Sequence, residues 1–310
     1  MKYLLYILPL AFLSFAQKAT GQSPTTDQDI AVTTAFHSNY EASLFEKVRA
    51  GVPVNPIHLL MAASPEANIE KGNEIVLELE GLLRYLETKK NKFKNHDKFL
   101  RCAFNKVQQK YLRKFEYQTD FYNLIDGKEF NCLSGTALYA YIFDQLGYSS
   151  IIKETDYHIY LLIYHEGREY LIESTDKIGG VVLKQDEIEQ RKKKYTTGSG
   201  ALLEGQNGIS SQQSQYHFSV KVDNQVNIQH AAGLQYYNLA IQHFNDLQYD
   251  KALQDIDKAI LLYPSQRLYE FKLLTLHTLL RGKSIDEKAK EYYKKIYASF
   301  LRSSGYLAKN

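Results

Sequence analysis

The amino-acid sequence predicts an α+β protein in which helical regions flank a short β-rich region. Apolar residues recur at helical spacing before about residue 117 and again after about residue 226. Between these regions, turn residues separate three short runs rich in β-branched and aromatic residues. The composition, with 44% hydrophobic and 24% charged residues, is typical of a folded globular chain.

The charge and the cysteine content exclude several classes of protein. A formal net charge of +3 is too small to indicate a nucleic-acid-binding protein. Two cysteines cannot form a disulfide scaffold, so a packed core has to stabilise the chain. The sequence has no paired ligands at the spacing that metal sites use, so no metal site is predicted. No cofactor is predicted either.

The first 21 residues have the pattern of a signal peptide. Lys2 precedes an apolar run from Leu4 to Ala16, and small residues follow at Ala19–Gly21. The run is too short for the ~20-residue helix that crosses a bilayer. We therefore predict cleavage near Gly21, export to a periplasm or the cell exterior, and no membrane span in the mature protein. The alternative interpretation is a buried N-terminal helix.

The next part of the chain is predicted to be a flexible lead-in, residues 22–36, followed by helices up to about Tyr117. Two helical stripes lie in this region, one of them within residues 99–115. The clearer stripe consists of Ile75, Leu79, Leu82, Leu83 and Leu86. Between the two stripes, the basic segment 89–98 is interpreted as a solvated connection.

The pattern changes after Asp126. A buried helix is predicted at Leu133–Leu146, ended by Gly147. Strands are then predicted at 150–154, 158–164 and 169–173, with a hairpin turn between the last two. Residues 191–215 are rich in Gly, Ser and Gln, so we predict a surface loop or a mobile flap within a domain that spans residues 37–225.

The C-terminal residues 226–310 are predicted to form a helical domain similar to tetratricopeptide repeats. Gly233–Gln266 has the 34-residue length of that repeat, and 267–300 resembles a second helical pair. The positions that match the repeat are Tyr236, Leu239, Ala240, Tyr249, Ala252, Ile256, Ala259 and Pro264. The main departure is His243, where an aromatic residue is usual. Such helices either stabilise the preceding domain or bind a protein partner, and the sequence leaves both open.

Three short segments carry the residues suited to chemistry. Cys132 lies where a loop enters a predicted helix, and the positive end of a helix favours a thiolate. His158 begins one strand of the predicted hairpin, and Glu173 ends the other. A carboxylate there would orient the imidazole while the other ring nitrogen faces the sulfur. Asp176 is the reserve candidate for the acid.

The order of Cys132, His158 and the acid, with spacings of 26 and 15 residues, resembles the transglutaminase-like superfamily of papain-type cysteine enzymes. Tyr170–Thr175 fits the last motif of that family with Glu in place of Asp, whereas Ile159-Tyr160 replaces the usual Trp after the histidine. The resemblance covers about residues 115–176 and implies a Cys-bearing helix packed on a small antiparallel sheet. Together with the repeat helices, the chain is also similar to exported transglutaminase-like proteins of the Bacteroidetes type.

The resemblance implies a cysteine hydrolase or acyltransferase that acts on a peptide, protein or cell-wall amide through a thioester on Cys132. Such a reaction needs donors for the oxyanion. The backbone N–H of Cys132 is one candidate donor. A side chain of the helix around residues 106–111 is expected to supply a second one, and the candidates are Gln108, Gln109 and Tyr111.

Three alternatives stay open at this point. The fold could be catalytically inactive and bind a peptide or protein together with the repeat helices. Cys102 and Cys132 could form a disulfide in an exported protein. Cys132, His158 and His165 could hold zinc, although they lack paired-ligand spacing.

Overall fold

The computed structural model describes residues 35–156, 158–197, 221–282 and 286–303. Within these ranges the protein is α+β, with helices around a five-stranded antiparallel sheet and a separate two-stranded parallel pair. The predictions of a signal peptide at residues 1–21 and of most of the lead-in fall outside the described residues. No helix in the described part of the chain is both long and apolar enough to cross a membrane.

The first described helices are α1 (Asn39–Arg49), α2 (Pro56–Met61), α3 (Ile69–Lys92) and α4 (His96–Lys110). The predicted stripe lies on α3, where Leu83 is half-buried and the other four members are buried. The predicted connection at residues 89–98 is shorter than expected. It consists of residues 93–95, because α3 continues to Lys92 and the Asn95 side chain caps the start of α4.

Short elements then lead into the sheet: β1 (Lys114–Phe115), α5 (Phe121–Asp126), β2 (Glu129–Phe130) and α6 (Cys132–Gln145). β1 pairs with β2 in parallel, so residues 114–115 form a strand instead of continuing the preceding helical stripe. α6 is buried along most of its length. Its nearly continuous apolar sequence explains this position, because a helix that is apolar on all sides is stable only inside a core.

The main sheet contains β3 (Ser149–Thr155), β4 (Ile159–His165), β5 (Arg168–Ile172), β6 (Val181–Val182) and β7 (Asp223–Val226), in the order β6-β5-β4-β3-β7. Every neighbouring pair is antiparallel. The predicted β4–β5 hairpin is confirmed. Its turn residues Glu166 and Gly167 both have positive φ, as a two-residue hairpin turn of type I′ requires.

The segment before β7 departs from its prediction. Residues 191–197, expected to begin a loop or flap, form the last turns of helix α7 (Gln185–Thr197). The chain turns helical here because the glycines that suggested a loop begin only at Gly198, while the preceding residues are mostly good helix formers. The remainder of the predicted loop, residues 198–215, lies outside the described residues.

The C-terminal region consists of α8 (Ile228–Asn245), α9 (Tyr249–Leu262), α10 (Gln266–Arg281) and α11 (Glu287–Ser303). α8 and α9 are the helix pair expected from the 34-residue pattern, and Ala240, Ile256 and Ala259 are buried between neighbouring elements. At the position that departs from the pattern, His243 Nδ1 lies 2.7 Å from Asp255 Oδ2. A polar contact between α8 and α9 therefore replaces the usual aromatic packing.

The C-terminal helices share one hydrophobic core with the rest of the protein. Buried polar contacts reinforce this packing. The Gln235 side chain of α8 bonds to the backbone of α2 and of α5, both at 2.7 Å. Glu41 of α1 is fully buried and accepts bonds from the Tyr236 hydroxyl at 2.8 Å and the Lys258 ammonium at 2.9 Å. Several independent contacts thus hold α8 and α9 against the N-terminal helices.

Candidate active site

Helix α6 begins at Cys132, and a capping box fixes this start. The Asn131 side chain accepts from the Ser134 N–H at 2.9 Å, and the Ser134 hydroxyl accepts from the Asn131 N–H at 3.1 Å. The Asn131 amide also donates to the carbonyl of Thr119 at 2.8 Å. Cys132 is a half-buried free thiol at the first helical position. Its own N–H is therefore among the first-turn groups that have no acceptor within the helix.

A close approach of α6 to the segment after β5 brings Cys132 to the edge of the sheet. A Cβ atom on Gly135 would lie 2.9 Å from Cβ and Oγ of Ser174, so a larger residue would push the two segments apart. The Ser174 hydroxyl lies 3.4 Å from the Cys132 carbonyl oxygen, to which it donates. Since Ser174 follows Glu173 directly, this contact sets the position of the sulfur relative to the acid.

His158 lies at the end of a tight turn between β3 and β4. The Thr155 N–H donates to the His158 carbonyl at 2.8 Å, and the His158 N–H donates to the Thr155 hydroxyl at 3.1 Å. The ring Nε2 is 2.5 Å from Oε2 of Glu173, and the Cys132 side chain is near enough to the ring to raise its pKa. Because Nε2 is engaged by the carboxylate, Nδ1 is the nitrogen left to face the sulfur. The three residues predicted from the sequence therefore lie together.

Glu173 is buried and accepts bonds at both carboxylate oxygens. Oε2 accepts from His158 and, at 2.9 Å, from the Tyr195 hydroxyl. Oε1 accepts from the Thr175 N–H at 3.1 Å and from the Thr175 hydroxyl at 2.6 Å. Burial raises the pKa of Glu173, but the bonds from His158 and Thr175 outweigh it and hold the pKa below its ordinary value. Glu173 is therefore a carboxylate at neutral pH.

The charge state of His158 depends on the same contacts. Burial lowers the pKa of His158, while hydrogen bonds with Cys132 and Glu173 and the charges of both groups raise it. The balance raises the pKa to about 10. A protonated imidazole between two acidic groups is thus favoured at neutral pH.

Asp176, the reserve candidate for the acid, has a different role. Its carboxylate accepts from the Gly179 N–H at 2.8 Å and from the Arg191 guanidinium at 2.9 Å. These bonds close the turn between β5 and β6 and attach α7 to it. The structure therefore places Glu173, and not Asp176, against His158.

Helix α7 contributes a residue that the sequence interpretation missed. The Tyr195 ring lies 4.6 Å from the His158 ring and 5.0 Å from the Tyr160 ring, centroid to centroid, and its hydroxyl bonds to Glu173. A signal for this position was present. Tyr195 follows the fully buried Ile188 by seven residues, a spacing that puts both on one helix face.

The side chains predicted as second oxyanion donors have other partners or positions. The buried Gln108 amide donates to the Ser174 carbonyl at 2.7 Å, so it supports the segment that follows Glu173. Gln109 is exposed on the outer face of α4. The Tyr111 hydroxyl donates to Glu78 at 3.0 Å. The backbone N–H of Cys132 is the remaining candidate among those predicted.

Two alternatives from the sequence do not agree with this geometry. Cys102 and Cys132 are both free thiols, so the disulfide is not formed. His165 lies at the far end of β4, roughly 20 Å along the strand from His158, and stacks on His96 at 4.0 Å. The two histidines therefore cannot share one zinc ion. Within the described residues, no group of three or more His, Cys, Asp or Glu side chains is arranged to hold a metal.

Comparisons of the chain with protein-family models, with curated proteins and with solved structures found no match. The geometry therefore defines the class on its own. The protein is an α+β protein in which a helix N-terminus and the open end of a hairpin bring a thiol, an imidazole and a carboxylate together. The assignment to the transglutaminase-like superfamily stays a prediction from the sequence motifs.

Proposed function

We propose that the protein is an exported transglutaminase-like cysteine hydrolase or acyltransferase. Its substrate would be an amide of a peptide, a protein or the cell wall. One observation carries the proposal: the buried carboxylate of Glu173 holds the ring of His158 at 2.5 Å, next to the Cys132 side chain, which raises the pKa of the same ring. A thiol nucleophile requires this arrangement, namely a base within reach and a third group that orients the base.

In the first step, the Cys132 sulfur attacks the carbonyl carbon of the amide and a C–S bond forms. The imidazolium of His158 favours the thiolate form of a neighbouring sulfur. The C–N bond then breaks, and the leaving amine takes its proton from His158. This step yields a thioester on Cys132, a free amine and a neutral imidazole.

In the second step, a nucleophile resolves the thioester. His158 removes a proton from water or from an acceptor amine, which attacks the thioester carbonyl, and the C–S bond breaks. Water gives a carboxylic acid, whereas an amine gives a new amide. Both routes restore the thiolate and the imidazolium, so the site is ready for another cycle.

Glu173 would keep the imidazole in one orientation and stabilise its charge throughout the cycle. The carboxylate is well suited to this role, because four hydrogen bonds fix it and burial strengthens its interaction with His158. The backbone N–H of Cys132 would stabilise the oxyanion, since first-turn N–H groups point out of the helix end towards a bound carbonyl oxygen.

Alkylation by iodoacetamide tests the proposal without a known substrate. At neutral pH we expect Cys132 to react faster than Cys102, with peptide mass mapping as the measurement. His158→Ala should abolish that difference, while His165→Ala, at the other end of the strand, should leave it intact. Equal and slow reaction of both thiols would contradict the proposal. That result would instead favour an inactive fold that binds a peptide or protein with its C-terminal helices.

The proposed export has a separate test. The N-terminal sequence MKYLLYILPLAFLSFAQKATG supports a signal peptide. N-terminal sequencing of the protein from the periplasm or the medium should begin close to residue 22. Full-length protein confined to the cytoplasm would contradict this part of the proposal.

A further inference from the structure

The C-terminal helices contact the turn that carries His158. Glu154, near the end of β3, has a side chain that is only 4% exposed. Its carboxylate accepts from the Tyr263 hydroxyl at 2.6 Å and from the Arg267 guanidinium at 3.2 Å. A second nitrogen of Arg267 donates to the backbone carbonyl of Asp156 at 3.1 Å. Arg267, on α10, therefore bonds to a strand and to the turn that follows it.

The position of Asp156 is coupled to the position of His158 through the neighbouring Thr155. Thr155 lies between Glu154 and Asp156, and it is bonded to both the N–H and the carbonyl of His158. The guanidinium is also oriented by the Tyr237 ring, whose centroid is 5.1 Å away. A planar guanidinium has donors in fixed directions, so it can hold two acceptors in one relative position. A lysine ammonium lacks that fixed, forked geometry.

We infer that Arg267 is a positioning residue for His158, so that the C-terminal helices form part of the active-site machinery. This inference rests on the proposed function, because it concerns the reactivity that His158 gives to Cys132. The physical reason is that His158 has to meet the sulfur and the Glu173 carboxylate at the same time. A displacement of about 1 Å in such an arrangement reduces a rate by up to about a hundredfold.

Attachment of the C-terminal helices does not depend on the Arg267–Asp156 bond. Gln235, Glu41 and Lys258 hold α8 and α9 to the N-terminal helices through contacts that lie away from the turn. Buried ion pairs also contribute little net stability, and their better-attested role is to select one geometry. A residue that spans Glu154 and the Asp156 carbonyl has the placement expected for that role.

The test compares alkylation of Cys132 by iodoacetamide at pH 6 and at pH 9 in a Cys102→Ser background. The ratio of the rate at pH 6 to the rate at pH 9 reports how strongly His158 promotes the reaction of Cys132. Arg267→Lys keeps the charge beside Glu154 and should lose the bond to Asp156. We expect the rate ratio in Arg267→Lys to fall at least about tenfold.

Lys272→Gln is the matched control. It removes a similarly buried ion pair between α9 and α10, in which Lys272 Nζ lies 2.6 Å from Asp257 Oδ1. We expect it to lower the melting temperature while leaving the rate ratio unchanged. If Arg267→Lys does not fold, the Glu154→Gln/Arg267→Gln double variant replaces it, since this variant leaves no unpaired buried charge.

An unchanged ratio in Arg267→Lys would overturn the inference and leave the proposed function intact. Equal reductions of the rate ratio in Arg267→Lys and Lys272→Gln would also overturn the inference, because they would indicate a general loss of structure. If the parent protein itself shows no reaction of Cys132 that depends on His158, the proposed function fails and the inference fails with it.

Discussion

The two ends of the β4–β5 hairpin carry the same residue types in different surroundings. At the open end, His158 Nε2 lies 2.5 Å from the Glu173 carboxylate, and the two side chains are 18% and 4% exposed. At the turn end, His165 lies 3.9 Å from Glu166, whose side chain is 85% exposed. A histidine beside an acid is therefore not sufficient to make a site.

The difference lies in what surrounds each pair. At the open end, α6 supplies the sulfur, α7 supplies Tyr195, and the turn after β5 fixes Glu173 through Thr175. Burial makes each of these interactions stronger than it would be in water. At the turn end, water screens the charge of the exposed Glu166, and exposed pairs contribute little.

The largest expected effect is on the reaction rate, which Glu173→Gln at the open end of the hairpin should lower much more than Glu166→Gln at the turn end. An amide cannot carry the negative charge that stabilises the imidazolium, so the rate of amide cleavage or transfer should fall about a hundredfold or more. The matched variant Glu166→Gln should leave the rate unchanged within about twofold, because its side chain is exposed. Steady-state kinetics on one amide substrate measures both variants. Similar losses of rate in the two variants would contradict the distinction between the two ends of the hairpin.

The pH dependence of turnover should report the surroundings of His158 at the open end of the hairpin. In the proposed mechanism, release of the amine requires protonated His158, and its pKa of about 10 keeps the proton in place through neutral pH. The rate should therefore fall only as the pH rises through about 10, and not through the ordinary histidine value. Glu173→Gln should move this alkaline limb to lower pH, since it removes a charge that raises the pKa. A limb near pH 6.5 in the parent protein would contradict the assignment.

A comparison of Gly135→Ala with Gly81→Ala should distinguish the effect of close packing at α6 on stability from the effect of helix propensity. The added Cβ would meet Ser174 at 2.9 Å, and overpacking of this kind costs about 1–3 kcal/mol. The control is Gly81→Ala on the exposed face of α3, where the nearest atom is a flexible Arg84 nitrogen at 3.9 Å. That variant should gain about 0.5–1 kcal/mol from helix propensity. Thermal unfolding of both variants measures the difference, and a stabilised Gly135→Ala would contradict the close approach.

Tyr195→Phe should have the smallest effect. Loss of the hydroxyl leaves more of the Glu173 charge for His158, so the pKa of His158 should rise and the alkaline limb of turnover should move up by less than about one pH unit. Tyr164→Phe is the matched control, because the Tyr164 hydroxyl bonds to Glu169 at 2.8 Å, near the turn end of the hairpin. A shift in that control equal to the shift in Tyr195→Phe would contradict a specific role for Tyr195.

Local patterns in the sequence were sufficient to predict the elements that carry the site. The α3 stripe, the hairpin around Gly167 and the helix that starts beside Cys132 all follow from periodicity and turn residues. The same hairpin register brought His158 near Glu173, because it joins neighbouring strands at one end. Local chemistry of this kind is readable from the sequence because it depends on residues that are close along the chain.

Contacts between distant parts of the chain were not predictable in this way. Asp156 and Arg267 are separated by 111 residues, and no periodicity relates them. α7 was missed because its sequence, QDEIEQRKKKYTT, is almost entirely polar, and its apolar Ile188 is a single fully buried residue among the α7 residues whose burial is described. The sequence motif favoured Glu173 over Asp176, but the contact of Glu173 with His158 is visible only in the structure, because the two acids are three residues apart and the turn after β5 determines which of them faces His158.

The most direct test of the account is an NMR titration of the His158 ring. We expect a midpoint near pH 10 in the parent protein. Cys132→Ser and Glu173→Gln should each lower the midpoint, because each removes a partner that stabilises the imidazolium. A midpoint near 6.5 that neither substitution changes would show that the three groups do not interact, and it would contradict the account.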